Sequence, residues 1–453
     1  MESNKAKLVQ GKPSTAIISM MAPMVIGLLV MIGNGLVDAY FVGKLGYAQL
    51  AAVSYAFPVW FIVSGIVMGL GVGTSSLVSR AIGSDDRNSV TEIATHSIIL
   101  AVLTGFFVIL AGLSSIDSLF GLLGANEETM PYVQEYMKVY YWGGLFMTVP
   151  IIGNSVLRAL GDAKTPSVLM AMSAVINAVL DPILIFGWLG VPALGVQGAA
   201  LASVIANIIF LIASLAVLIY RDRLIQFKNH STKALFNSWK KILHVGIPAI
   251  ASNLIAPVSS ALVLALVSSY GQAAVAAVGL AGRIEAFIIV LFMALGGATT
   301  PYVGQNFGAK RFDRLRSGFK FSARLSLVYA LFCIGFFYYF SEPVLHFFTK
   351  DNEVILIAKM QLMICPLGYG FLGLAAMCNG SFNAFGKPMP AMTISISRTL
   401  VFYVPMAYFL AYLYGIKGVF IGQVISNVLA GIIGVIWYKI VFRKLVISNE
   451  KLP

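Results

Sequence analysis

Charge is scarce in this sequence: only 11% of its 453 residues are charged, against about a quarter in an ordinary soluble domain. That deficit excludes a water-facing surface over most of the chain. Cys333, Cys365 and Cys378 are an odd number, lie in apolar stretches and have no paired spacing, which excludes a disulfide framework and a thiolate metal site. His96, His230, His244 and His346 show no ligand spacing. No GxxxxGK[ST] sequence and no soluble stretch large enough to bind ATP is present, so uphill transport must draw on an ion gradient. HExxH, GxSxG and spaced His/Asp sets are also missing, which argues against an intramembrane protease or acyltransferase and against enzymes in general. No cofactor is implied.

What the chain does have is apolar surface. Hydrophobic residues make up 59% and the mean hydropathy is +0.88. Apolar runs fall near 15–42, 49–79, 93–116, 131–157, 165–188, 195–220, 241–270, 274–305, 319–341, 354–382, 388–414 and 416–442, each long enough for the ~20 residues that a bilayer crossing needs. Open strands in lipid would leave unpaired N–H and C=O groups, so the runs must be helices. The polar, basic N-terminus precedes a run too long for a signal-peptide core, and that run is expected to be retained. The fold class is therefore an all-α integral membrane protein with twelve transmembrane helices.

The net charge of +13 would suggest nucleic acid if it formed a soluble face. Instead it marks topology. Of the 31 Lys and Arg, 24 fall in one alternate set of connections, which includes Lys5, Lys7, Lys12 and Lys451 at the termini. Five fall in the other set, and Arg283 and Arg398 lie within spans. Positive charge stays inside, so both termini are expected in the cytoplasm and no nucleic-acid partner is expected.

The longest polar stretch divides the chain into an N-terminal lobe at 1–221, a cytoplasmic linker at 222–240 and a C-terminal lobe at 241–453. The halves repeat. At an offset of 225, Pro23 falls on Pro248, Gly46 on Gly271, Gly71 on Gly296, Asn154 on Asn379 and Gly161 on Gly386; later the offset is 220, with Gly198 on Gly418, Val204 on Val424 and Asn207 on Asn427. Two pseudo-symmetric six-helix lobes related by an axis along the membrane normal, with a cavity between them, are a transporter architecture.

Most carboxylates occupy loops, which leaves Asp38, Asp181 and Glu285 at or near membrane depth. An ionised Asp there costs about 2.5–3.5 kcal/mol on insertion scales and so calls for a function. Asn177 stands one helical turn before Asp181 and shares its face, while Pro182 frees the Ala178 carbonyl from its usual helical partner. Removal from water favours the protonated form of a carboxyl group, so the two aspartates can exchange a proton, or bind Na⁺ when both are ionised. H⁺ is the expected coupling ion and Na⁺ the alternative; no other metal is expected. Asp38 falls on Val263 in the repeat, so only the N-terminal lobe carries this cluster. Pro23 permits a bend in the helix that bears Asp38. Arg283 and Glu285 are two apart and can neutralise each other only imperfectly; with Arg398 they are given gating or structural roles. Aromatics including Tyr136, Tyr140, Tyr141 and Trp142, together with 18 Met, can line an adaptable apolar cavity.

These residues resemble the multidrug and toxic compound extrusion (MATE) family. The resemblance runs through Pro23 and the DAYFVGKLG that follows it, then GTSSLVSRAIG, LRALGDAKTP and GVQGAALAS, and recurs in LGGATTPYVGQNFGAK and FNAFGKP. It covers essentially the whole chain and looks most like the DinF-like branch. It implies outward antiport of amphipathic, often cationic drugs against H⁺ or Na⁺, in the inner membrane, by a monomer in contact with lipid. The resemblance also implies a cation site of Asp38, Tyr136, Asn177 and Asp181, with Asn154 and Ser203 as neighbours, and a bend at Pro23. By the same resemblance a C-lobe cation site would need acids in the seventh and tenth spans, and 241–270 and 354–382 contain none. The alternative is a lipid-linked oligosaccharide or lipid flippase of the same superfamily, whose cavity should be distinctly cationic, with only Arg283 and Arg398 to supply it. A major-facilitator assignment fails because the loop after the second span reads GSDDRNS instead of GxxxD[RK]xG.

Overall fold

The structure, a computed structural model, describes residues 6–226 and 231–450. Lys5, Lys451, His230 and the 227–230 part of the expected linker lie outside the described residues. All regular elements among those described are helical, which in lipid keeps every backbone bond within its own segment. The first half holds α1 (Pro13–Gly43), α2 (Tyr47–Gly83), α3 (Arg87–Leu122), α4 (Met130–Trp142), α5 (Gly144–Ala159), α6 (Lys164–Phe186) and α7 (Gly195–Ala216). The second half holds α8 (Thr232–Ser268), α9 (Gln272–Gly308), α10 (Phe312–Phe348), α11 (Asn352–Ile364), α12 (Tyr369–Ala384), α13 (Pro388–Ile396), α14 (Val404–Tyr414) and α15 (Ile416–Glu450).

Counted across their 3₁₀ and π interruptions, eleven of these rods are long and apolar enough to cross a membrane. The fourth expected run is the exception. It is divided at Gly143 into α4 and the short apolar α5, which together make the twelfth. The corresponding rod of the second half is also interrupted, by a 3₁₀ turn over Cys365–Gly368 between α11 and α12.

The internal repeat is visible in backbone conformation. Left-handed φ values recur at Gly46 and Gly271, at Asp85 and Lys310, and at Gly161 and Gly386, each pair 225 apart, then at Gly195 and Gly415, 220 apart. The two helix breaks correspond as well. A Cβ on Gly143 would come 2.5 Å from Cγ2 of Val204, and one on Gly368 would come 3.1 Å from Cα of Val424. Val204 and Val424 are themselves repeat equivalents, so the same close approach of a broken helix to its neighbour is built twice. Small residues permit such approaches between helices in lipid, where backbone packing replaces the hydrophobic drive.

By contacts the chain forms two units. One takes in Ala22–Ile250, the other Ala6–Met21 with Ala251 onward. This grouping runs differently from a division at 222–240, and side-chain bonds account for the difference. In the first unit, Trp239 Nε1 donates to the His96 carbonyl at 2.9 Å and Ser238 Oγ lies 2.9 Å from His96 Nδ1, which holds the start of α8 to α3. In the second, Leu8 N donates to Gln305 Oε1 at 2.9 Å. The buried Arg314 guanidinium donates to the carbonyls of Leu8, Gln10 and Gly11. Residues 6–12 are thus a strap fastened to the junction of α9 and α10.

Candidate functional site

In the first unit, α1 and α6 present the same short pattern. Asn34 precedes Asp38 by four residues, and Asn177 precedes Asp181 by four; that spacing puts each amide one turn from its carboxyl on the same helix face. Asn34 Nδ2 stands 2.9 Å from Asn177 Oδ1, and the Asp38 and Asp181 carboxyls are within hydrogen-bonding reach of each other. Asp181 and Asn177 are buried, and Oδ2 of Asp181 accepts no hydrogen bond from a fixed donor among the described residues. Ser203 Oγ, from α7, lies 3.2 Å from the Asn177 amide.

The Asn177 amide has two workable senses. In one, its nitrogen donates to Asp181 Oδ1 at 3.5 Å and to Ser203, while its oxygen faces Asp38. In the other, its nitrogen donates to Asp38 Oδ1 at 2.7 Å and its oxygen accepts from N and Oγ of Ser203, both at 3.2 Å. The first suits a protonated Asp38 that donates to the amide oxygen. The second suits an ionised Asp38.

Of the residues expected here, Asp38, Asn177, Asp181 and Ser203 are brought together. Tyr136, from α4, packs with the apolar cluster of Val42, Ile185 and Ala199 and stacks on Tyr140 with centroids 6.1 Å apart; its hydroxyl makes no hydrogen bond among the described residues. Asn154, on α5, is buried, and its Oδ1 makes no hydrogen bond among the described residues. Pro23 lies inside α1, two residues after the point where that helix passes from one unit to the other. Asn34 was not expected, although the repeated four-residue spacing from Asn to Asp was present to be read.

In the second unit, Arg283 and Glu285 do not pair. Arg283 is exposed, and no carboxylate lies within 4.0 Å of it among the described residues. Glu285 is buried and accepts from Tyr369 OH at 2.6 Å and Gln361 Nε2 at 3.0 Å. A two-residue spacing turns the side chains to different helix faces, so the structure separates them. Arg398 donates from Nη1 to Asn427 Oδ1 at 3.2 Å. Tyr369 and Gln361 flank the 3₁₀ break, and nothing in the sequence spacing signals that a residue 84 and 76 positions earlier would meet them.

No group of three or more His, Cys, Asp or Glu capable of holding a metal occurs among the described residues. The first-unit cluster offers carboxylate, amide and hydroxyl oxygens, a donor set suited to a proton or a hard cation rather than a transition metal.

The chain matches MatE over residues 23–183 and 248–409, once in each half. It is similar to a FAD transporter of Shewanella oneidensis, 32% identical over 421 residues and 92% of each chain. It is also similar to the probable multidrug resistance protein YoeA of Bacillus subtilis, 28% identical over 458 residues and 98% of each chain. Among solved structures, the Vibrio cholerae MATE transporter VcmN in the bent form matches with a TM-score of 0.90 at 31% identity, over 96% of this chain and 98% of that one.

Proposed function

This chain belongs to the MatE family of membrane transporters, and we propose that it exports amphipathic small molecules by antiport, coupled to H⁺ through Asp38, Asn177 and Asp181. The observation that carries the reading is two carboxyls within hydrogen-bonding reach of each other, bridged by one amide, on neighbouring helices. Two acids that close share one proton more readily than they hold two charges. The proton sits on Asp38 when the Asn177 oxygen faces it, and on Asp181 when the amide turns over. Entry of a second proton neutralises the pair and removes the charge that the amide bonds hold in place. That change biases α1, which has no backbone N–H at Pro23 to close a helical bond there, toward a bent form, and drug and proton then compete for conformational states. Na⁺ is the alternative ion, bound by the same oxygens when both acids are ionised.

Two cargoes are consistent with this coupling. Amphipathic cations are the first, in keeping with the multidrug name of the Bacillus relative. The second is suggested by the Shewanella relative: a flavin dinucleotide, with an aromatic ring system at each end and an anionic pyrophosphate in the middle. Proteoliposomes test both the coupling and the cargo. Uptake of ethidium and of FAD is followed with a pH gradient or a Na⁺ gradient imposed separately. A pH gradient should drive uptake by the wild type, and Asp38→Asn and Asp181→Asn should each abolish it. Retained gradient-driven uptake in either variant overturns the site assignment.

A further inference from the structure

Arg398 has no part in the coupling chemistry. It is the eleventh residue of the 27-residue span Pro388–Tyr414, about 15 Å of helix rise from its start, and so lies well inside the apolar layer. A guanidinium carries five N–H donors and cannot be deprotonated in a protein. Here its hydrogen bond among the described residues is the one from Nη1 to Asn427 Oδ1, at 3.2 Å. No carboxylate lies within 4.0 Å of it among the described residues. Glu285, a buried acid within the spans of the same unit, is instead bonded to Tyr369 and Gln361. A charge at this depth without a counter-charge marks a functional position by default.

The local backbone supports that role. Arg398 falls in a π-helical stretch, Ser397–Tyr403, a form frequently found at functional sites. The stretch is pinned: the Thr399 carbonyl accepts from Ser259 Oγ of α8, and Thr399 Oγ1 donates to the Ser395 carbonyl at 2.9 Å. Asn427 is itself buried, so one corner of the guanidinium is anchored, and the remaining donors make no hydrogen bond among the described residues.

The repeat sharpens the meaning. Between the equivalent pairs Gly161/Gly386 and Gly195/Gly415, position 398 corresponds to the 173–178 stretch of α6, which contains Asn177. Ser203, the partner of Asn177, corresponds to Gln423. Where one unit places acids and an amide, the other places a guanidinium. The sign of the fixed charge is reversed.

We propose that Arg398 is a substrate contact that binds an anionic group, a phosphate or carboxylate, attached to an apolar body. A guanidinium fork matches such a group with two parallel hydrogen bonds, and an anchored fork loses little freedom on binding. The proposal rests on the transporter reading above and specifies which substrates that transporter accepts.

FMN and riboflavin share one ring system and differ by a phosphate, so their binding to the purified protein isolates the contact. In phosphatidylcholine nanodiscs, flavin fluorescence should show FMN binding at least tenfold more tightly than riboflavin. Arg398→Gln should remove that preference and leave riboflavin affinity unchanged, while Arg398→Lys should keep part of it. Asn427→Asp, which places a carboxylate against Nη1, should remove it without deleting the arginine and covers the case in which Arg398→Gln fails to fold. Repeating the titration with phosphatidylglycerol present separates the two sources of the anion: competition that disappears in Arg398→Gln identifies a lipid headgroup as occupant, and unchanged FMN affinity identifies a soluble substrate. Absent FMN binding, equal affinity for the two flavins, or an equal loss of both in the variants overturns the proposal. Gradient-driven ethidium uptake by the wild type is measured in parallel, and its failure strikes the antiport reading alone.

Discussion

Asn177 bridges two aspartates, one end of its amide 2.7 Å from Oδ1 of Asp38 and the other 3.5 Å from Oδ1 of Asp181. An amide has a donor end and an acceptor end, so it can satisfy both acids only when they differ in protonation. Asn177 therefore reads out which acid holds the shared proton, and Ser203 accommodates either sense because a hydroxyl both donates and accepts.

Asn177→Leu should separate binding from coupling. Leucine keeps the same branched heavy-atom skeleton but has neither end of the amide, which leaves both carboxyls without a bridge. Gradient-driven uptake should fall by at least about tenfold, the equivalent of roughly 1.4 kcal/mol, while ethidium binding in the absence of a gradient stays near the wild-type value. Asn34→Leu should produce a smaller loss, because Asn34 touches Asn177 and has no bond to either carboxyl among the described residues. Equal losses in the two variants would place the bridge elsewhere.

Much of this was legible in the sequence, for physical reasons. Span number and helical type follow from hydropathy, because lipid tolerates little else. The repeat follows from Gly, Pro and Asn at fixed offsets, since those residues answer backbone demands that recur in both halves. Asp38 and Asp181 announce themselves because charge in apolar helices is costly. Asn34 stands out less because an uncharged amide costs less than a carboxylate to bury in an apolar helix. Three features depended on tertiary placement that spacing does not encode: Glu285 bonded to Tyr369, the break at Gly143, and Arg314 holding the strap.

Gly380 lies where α12 meets α9. A Cβ there would come 2.7 Å from the Gly296 carbonyl oxygen and 3.2 Å from Thr299 Cβ, a clash with backbone that no side-chain rotation relieves. Gly380→Val should lower the melting temperature of the purified protein by several degrees, in line with the roughly 1–3 kcal/mol cost of overpacking, and Gly380→Ala by less. Gly271→Ala is the contrast: nothing lies within 4 Å of that position, but its φ of 101° is unfavourable for a side chain, so any loss there reflects backbone strain alone.

Asp162 lies in the connection between α5 and α6. Burial works to raise its pKa, but hydrogen bonds from Thr165 N, Thr165 Oγ1 and Arg221 outweigh that and hold the carboxyl below its usual range. A depressed folded-state pKa contributes stability that is fully present above the unfolded value of about 3.9 and is lost as pH falls through the folded value. Wild type should therefore melt higher than Asp162→Asn at pH 7, and the gap should narrow once the pH falls below about 4. A gap that widens on acidification would assign the stabilisation to another group.

Arg314 fastens the strap that precedes α1 through three carbonyls, at 2.6 Å to Gly11 and 3.1 Å to both Leu8 and Gln10, with Asn306 Oδ1 bracing Nε at 2.9 Å. Hydrogen bonds from a charged donor are each worth about 1.5–3 kcal/mol, and Leu8 is buried beneath them. Arg314→Ala should release residues 6–12 and speed their amide exchange by about tenfold or more, with the interior of α9 unchanged. Arg314→Lys offers three donors on a flexible stem instead of a planar fork, so it should restore only part of the protection. If exchange across 6–12 were as slow in Arg314→Ala as in the wild type, burial of Leu8 rather than the guanidinium would be what holds the strap.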